Sequence, residues 1–95
     1  MTMNRARGEV PLIIDGEERT LCLTLGALAE IETALACSGF TEMGERMKNL
    51  SAGDLVRVVQ ALLAGGEGVK LDLATARIDP AAAVKAVADC FDCGL

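Results

Sequence analysis

The 95-residue chain contains no histidine, no tryptophan and no tyrosine, and only two phenylalanines. Without histidine there is no Ser-His or Cys-His nucleophile pair, no imidazole metal ligand and no side chain whose ordinary pKa lies near neutrality. The scarcity of rings removes the platforms on which single-stranded nucleic acids stack. Basic residues are few as well: nine Lys and Arg against fourteen Asp and Glu give a net charge of −5. A phosphate backbone needs a concentrated cationic surface, so nucleic acid is not an expected partner. No apolar run approaches the roughly 18 to 20 residues that span a bilayer. The opening MTMNRARGEV carries charge without a following apolar stretch, so neither a membrane segment nor an export signal is expected, and the cytoplasm is the expected location. Cysteines Cys22, Cys37, Cys90 and Cys93 are even in number, but disulfide frameworks belong to secreted chains, and reduced thiols are the expectation here.

What is present is aliphatic. Hydrophobic residues make up 52% of the chain, which suits one domain over residues 1–95 with a core of Leu, Ile, Val and Ala. A chain this short buries at most roughly 60 to 65% of its unfolded surface.

Residues 1–7 are polar and aperiodic, and a disordered end is expected. From residue 8 to 23 the pattern has period two, with Val10, Leu12 and Ile14 on one face and Leu21 and Leu23 continuing it. This predicts a β-hairpin turning at Asp15-Gly16. A two-residue loop pairs Leu12 with Arg19, whereas a four-residue loop, DGEE, pairs Leu12 with Leu21 and Val10 with Leu23. The longer loop is favoured because it sets apolar side chains opposite each other. Pro11 cannot donate to a ladder, so one side of its strand should be an edge.

Residues 24–93 read as helical. Thr24 is an N-cap for a helix over residues 25–36 with Leu28, Ile31 and Leu35 in register. Ser38-Gly39 ends it, and a short helix over residues 42–48 follows, with Met43 and Met47 in one row and Phe40 a turn before them. The clearest grammar lies in LSAGDLVRVVQALLAGG. Ser51 and Asp54 form a capping box, Leu50 and Leu55 a hydrophobic staple, and Leu55, Val58, Val59, Leu62 and Leu63 one stripe. Gly65 falls where a left-handed residue closes a helix, and Gly66 and Gly68 extend a corner. Residues 69–78 alternate like a strand, but Asp72 before LATARI favours a short helix. Asp79-Pro80 starts a last helix, with Val84, Val87, Ala88 and Phe91 as its buried stripe and Gly94 past its end. The fold class expected is α+β, mainly α: an N-terminal β-hairpin packed on four to five short helices.

Candidate chemistry is thin. Cys90-x-x-Cys93 lies in the last turn of a helix beside Asp89 and Asp92, where thiol pKa values are raised, whereas redox pairs sit at helix N-termini. Cys22 and Cys37 lack the paired spacing of a zinc half-site. Gly65, Gly66 and Gly68 before Lys70 miss the Ser or Thr of a phosphate loop, since Leu71 follows the lysine. The Glu and Asp residues lie on turns and solvated helix faces. No catalytic residue, cofactor or metal is therefore expected, and a thiol or metal protein is a distant alternative. Phe40, Met43 and Met47 admit two readings, core or partner surface, because thioethers beside one ring suit a groove for apolar segments.

The runs RARGEVPLIIDGEERTLCLTLGALAEIE, LSAGDLVRVVQALLAGG and ARIDPAAAVKAVADCF, with a short Phe-containing helix between the first two, resemble the small tail proteins of gene transfer agents, the phage-like particles of alphaproteobacteria. The resemblance covers roughly residues 4–93, and Glu67 to Ala76 fits least well. Members are similar to tail-assembly chaperones of long-tailed phages and have also been labelled tail-tube components. The resemblance implies a non-enzymatic protein of a gene transfer agent or prophage. Its first implied role is a chaperone binding the tape-measure or other tail proteins, and the alternative is a structural tail subunit located in the particle. Self-association is open on either reading.

Overall fold

In the computed structural model, which describes residues 9–68, 71–73 and 75–94 and only the backbone of Phe40 and Cys93, the chain reverses at Asp15 and Gly16. Both take positive φ, 55° and 80°, the pairing that a two-residue type I′ hairpin loop requires. Strands β1 (Glu9–Ile14) and β2 (Glu17–Cys22) are therefore joined by the short loop, with Ile14 opposite Glu17, Leu12 opposite Arg19 and Val10 opposite Leu21. This corrects the expected four-residue loop. Turn chemistry outweighed the matching of leucines, because Asp-Gly tolerates the left-handed geometry whose twist suits the strands. The two registers differ by an even number of residues, so no side chain changes face. Val10, Leu12, Ile14, Leu21 and Leu23 are all buried as the alternation predicts.

Four helices follow the hairpin, giving an α+β, mainly α fold: α1 (Leu25–Ala34), α2 (Gly39–Met47), α3 (Ala52–Glu67) and α4 (Pro80–Gly94). Thr24 caps α1 by accepting from the Ala27 amide at 3.0 Å. The helix closes with paired bonds from Ala36 N–H to Thr33 O and from Cys37 N–H to Glu32 O, the two bonds of a Schellman motif. Ala36 holds the left-handed position there, at φ 53°, where glycine is usual.

Helix α3 is the centre of the fold. Its Val58, Val59, Ala61, Leu62 and Leu63 are buried, packed with the hairpin face, α1 and α4. Ser51 caps it through the Asp54 amide at 3.1 Å. The Asp54 carboxylate engages Arg57 and Arg46 at 3.3 and 3.6 Å. It is one methylene shorter than the Glu that usually reaches back in a capping box.

The helix does not stop at Gly65. It continues through Gly65 and Gly66 to Glu67, and Gly68 provides the left-handed cap at φ 69°. The two internal glycines mark a close approach to β2. A Cβ on Gly65 would sit 2.4 Å from the Cys22 carbonyl oxygen, and one on Gly66 2.1 Å from that of Thr20.

The helix expected between residues 69 and 78 is absent among the described residues, which form turns and bends; Val69, Lys70 and Ala74 lie outside them, as does the expected disordered end at 1–7. Several backbone groups of the stretch are taken by tertiary partners instead. Leu71 O accepts from Gln60 Nε2 at 2.8 Å. Arg77 donates its amide to Asp15 Oδ1 at 2.8 Å and accepts the Asp15 amide at 2.9 Å. The stretch thus straps the hairpin turn to α4, with Leu73 tucked into the core.

Asp79 caps α4 through the Ala81 amide at 3.2 Å. The buried face of α4 is Ala83, Ala86, Val87 and Cys90, one residue back from the expected stripe of Val84, Val87, Ala88 and Phe91. Small side chains on that face let the helix lie close to β1 and α3, and the larger Val84 and Phe91 are left at its margin.

Candidate functional site

The displaced stripe of α4 forms one wall of an apolar cleft, and α2 forms the other. Helix α2 is short and contains two glycines, but its charges complement the helix dipole, with Glu42 in the first turn and Arg46 in the last. Ser38 makes no side-chain cap. The Gly39 amide instead donates to Glu32 Oε2 of α1 at 2.9 Å. Arg46 reaches Asp54 of α3 at the other end, so α2 is moored to both neighbours by partly exposed polar groups.

Met43 and Met47, one turn apart, point from α2 toward Val84, Val87, Ala88 and Phe91 of α4, and Leu50 closes the end. The cleft between them holds about 280 Å³ and has no charged residue in its lining. The two readings of the methionine row divide along it. Met43 is 3% exposed and belongs to the core, whereas Met47 is half-buried at the cleft and faces Val84, which is 56% exposed. The Phe40 side chain lies outside the described residues. Sequence reasoning did not find Val84 and Phe91 as cleft residues, because a helical stripe of apolar residues signals burial without saying which helix face is turned inward.

A larger groove of about 500 Å³ runs between β1 and α4. Three of its charged groups are engaged locally, Lys85 with Asp89 at 3.0 Å and Asp79 with its helix cap. Elsewhere the carboxylates act as fasteners. Glu67 accepts from the Thr20 amide at 2.7 Å and from Arg19 Nη1 at 3.2 Å, which ties the end of α3 to the outer edge of β2. This link was hidden in the sequence inside an apparent glycine corner. Cys37 and Cys90 are buried and Cys22 is half-buried, while the Cys93 side chain lies outside the described residues. Among the described residues no group of three or more potential metal ligands comes together, and no helix is long and apolar enough to cross a membrane.

The class these features define is a small, mainly helical α+β domain that displays an apolar cleft between two helices. Residues 7–93 match the family described as phage tail tube protein, GTA-gp10, and the chain belongs to that family. Its biology is accordingly that of a phage-like tail, in agreement with the resemblance drawn from the sequence. No curated protein matches the chain, and no solved structure does.

Proposed function

We propose that this chain is a non-enzymatic structural subunit of the tail of a gene transfer agent or related prophage particle, acting through contact with other tail proteins and with copies of itself. The family description, a tail tube protein, carries this reading over nearly the whole chain. It moves the structural role ahead of the chaperone role that the sequence placed first. A second reading is supported by one observation. The cleft bounded by Met47, Val84 and Phe91 is uncharged and about 280 Å³, the chemistry of a groove that receives an apolar helix. On that reading the protein is a tail-assembly chaperone holding a segment of the tape-measure protein in the cytoplasm, and its net charge of −5 helps keep the complex soluble. Of the row Phe40, Met43 and Met47, Met47 faces the proposed partner on either reading, and Met43 supports the cleft from the core.

Quantitative mass spectrometry of purified particles separates the two roles. A tube subunit is present in many copies per particle. A chaperone is missing from particles and co-purifies with the tape-measure protein from cells. Absence from both fractions would remove both readings. The partner surface is tested with Met47→Asp and Val84→Asp, which place charge in the cleft and spare the buried Met43. Unchanged assembly by a folded double variant would eliminate this surface.

A further inference from the structure

Helix α2 differs from the other three helices in how it is held. Among the described residues it contributes one buried side chain, Met43. By contrast α3 buries five residues and α4 four, and α1 buries Ala27 and Ile31 with Leu35 just beyond its end. Among the described residues no extensively packed pair of elements includes α2. Clefts flank it on both sides. One of about 280 Å³ separates it from α4, and one of about 190 Å³, lined by Leu25, Leu28 and Ala29, separates it from α1. Met43 borders both, so the helix rests on the core along a single line.

Its attachment has the form of a hinge. Ala36 at φ 53° and Gly39 at φ 80° stand on either side of an extended Ser38, which concentrates the change of direction in a few residues at the start of α2. The far end leaves through the loose turn Lys48-Asn49, whose amides bond to Glu45 and Arg46 at 3.3 and 3.1 Å. The polar moorings, Glu32 to Gly39 and Arg46 to Asp54, are exposed or partly so, and such links are weak in water. With glycine at two of nine positions the helix also has little stability of its own.

We infer that α2 is a hinged lid, which comes away from the core and, once lifted, loses its helical hydrogen bonds, while α1, α3, α4 and the hairpin stay folded. Lifting it joins the two flanking clefts into one apolar trough running from Leu25 and Leu28 of α1 to Val87 and Phe91 of α4. With α2 in place, Leu25 and Val84, 82% and 56% exposed, already border this trough, one in each of the two clefts. The lid holds for either tail role.

Native-state hydrogen exchange on the full chain tests it. The amides of Met43 to Met47 are expected to exchange at least ~100-fold faster than those of Val58 to Leu63, because they exchange by local opening. Their rates should rise with urea much less steeply than those of α3, since only the trough and the facing side of α2 are exposed. Glu32→Ala, a change at a half-buried position outside the core, should speed exchange in α2 by about 5-fold and leave α3 unaltered. Equal rates and equal urea dependence in α2 and α3 would overturn the lid. So would a Glu32→Ala effect that is shared by both helices or absent from α2.

Discussion

Gly66→Ala sets helix propensity against packing, and the two disagree in sign. Inside a helix, alanine is more favourable than glycine by about 1 kcal/mol. Propensity alone therefore predicts a more stable protein. The position of Gly66 against β2 predicts the reverse. An added Cβ would lie 2.1 Å from the Thr20 oxygen and 2.7 Å from its carbonyl carbon, and neither is the end of a flexible side chain. The end of α3 must retreat by about 1 Å, an overpacking that costs about 1 to 3 kcal/mol. That retreat also stretches the Thr20–Glu67 and Arg19–Glu67 links of 2.7 and 3.2 Å. Hydrogen bonds to a charged group contribute about 1.5 to 3 kcal/mol, and a fraction of this is lost. After subtracting the propensity gain, the net destabilisation is about 1 to 4 kcal/mol, a large share of the stability of a small domain. Urea unfolding followed by circular dichroism gives the value, with Gly44→Ala as the control. Gly44 is also helical, and no neighbouring atom lies within 4 Å of the place its Cβ would take, so that variant should gain up to about 1 kcal/mol. If Gly66→Ala were as stable as the parent, the close approach of α3 to β2 would be refuted.

Ala36→Gly should stabilise the protein by about 0.5 to 1 kcal/mol, because it relieves a left-handed alanine at the end of α1 and gives back part of the gain as chain entropy; a lower urea midpoint would contradict this. Leu62→Ala, at a fully buried site at the centre of α3, should cost about 2 to 5 kcal/mol in the same assay, and a loss well below 1 kcal/mol would mean that the core lies elsewhere. Glu67→Ala should cost about 1 to 2 kcal/mol, since the carboxylate is partly exposed, and Glu67→Gln should cost less because an oxygen still accepts from Thr20. Equal losses for the two Glu67 variants would show that charge, not the hydrogen bond to the strand, holds this contact.

Elements whose signals are local were legible in the sequence. Thr24, Ser51 and Asp79 all cap the helices they were expected to start, and the alternation of Val10, Leu12 and Ile14 found the buried sheet face. What could not be read depends on partners distant in sequence. The Gly65-Gly66 pair looks like a helix stop when judged by propensity, and only the proximity of the Thr20 and Cys22 carbonyls turns it into a packing device. Asp72 has the chemistry of a helix N-cap, yet Asp15 takes the Arg77 amide that its helix needed. Val84 and Phe91 have the spacing of a buried stripe, but the smaller Ala83, Ala86 and Cys90 won the inward face by allowing closer approach. The cleft at α2 and α4 follows from that last choice, so half of the candidate site was visible as the Met43–Met47 row and its opposite wall was not.

The sheet itself narrows how this protein can assemble. Two strands leave two edges, each a template for adding a strand from another chain. On β2 the outer edge is occupied: α3 lies against its carbonyls at Gly65 and Gly66, and Glu67 takes the Thr20 amide. On β1 the register places Pro11 opposite Thr20, two pairs removed from a non-hydrogen-bonded position at Ile13 and therefore itself at one. The missing N–H of Pro11 thus falls on the outer side of β1, in the middle of the edge, where an added strand would need a donor. Both edges are blunted, one by a helix and one by a proline. On the function proposed above, association with tail proteins or with further copies then falls to helix surfaces, and the uncharged cleft between α2 and α4 is the candidate.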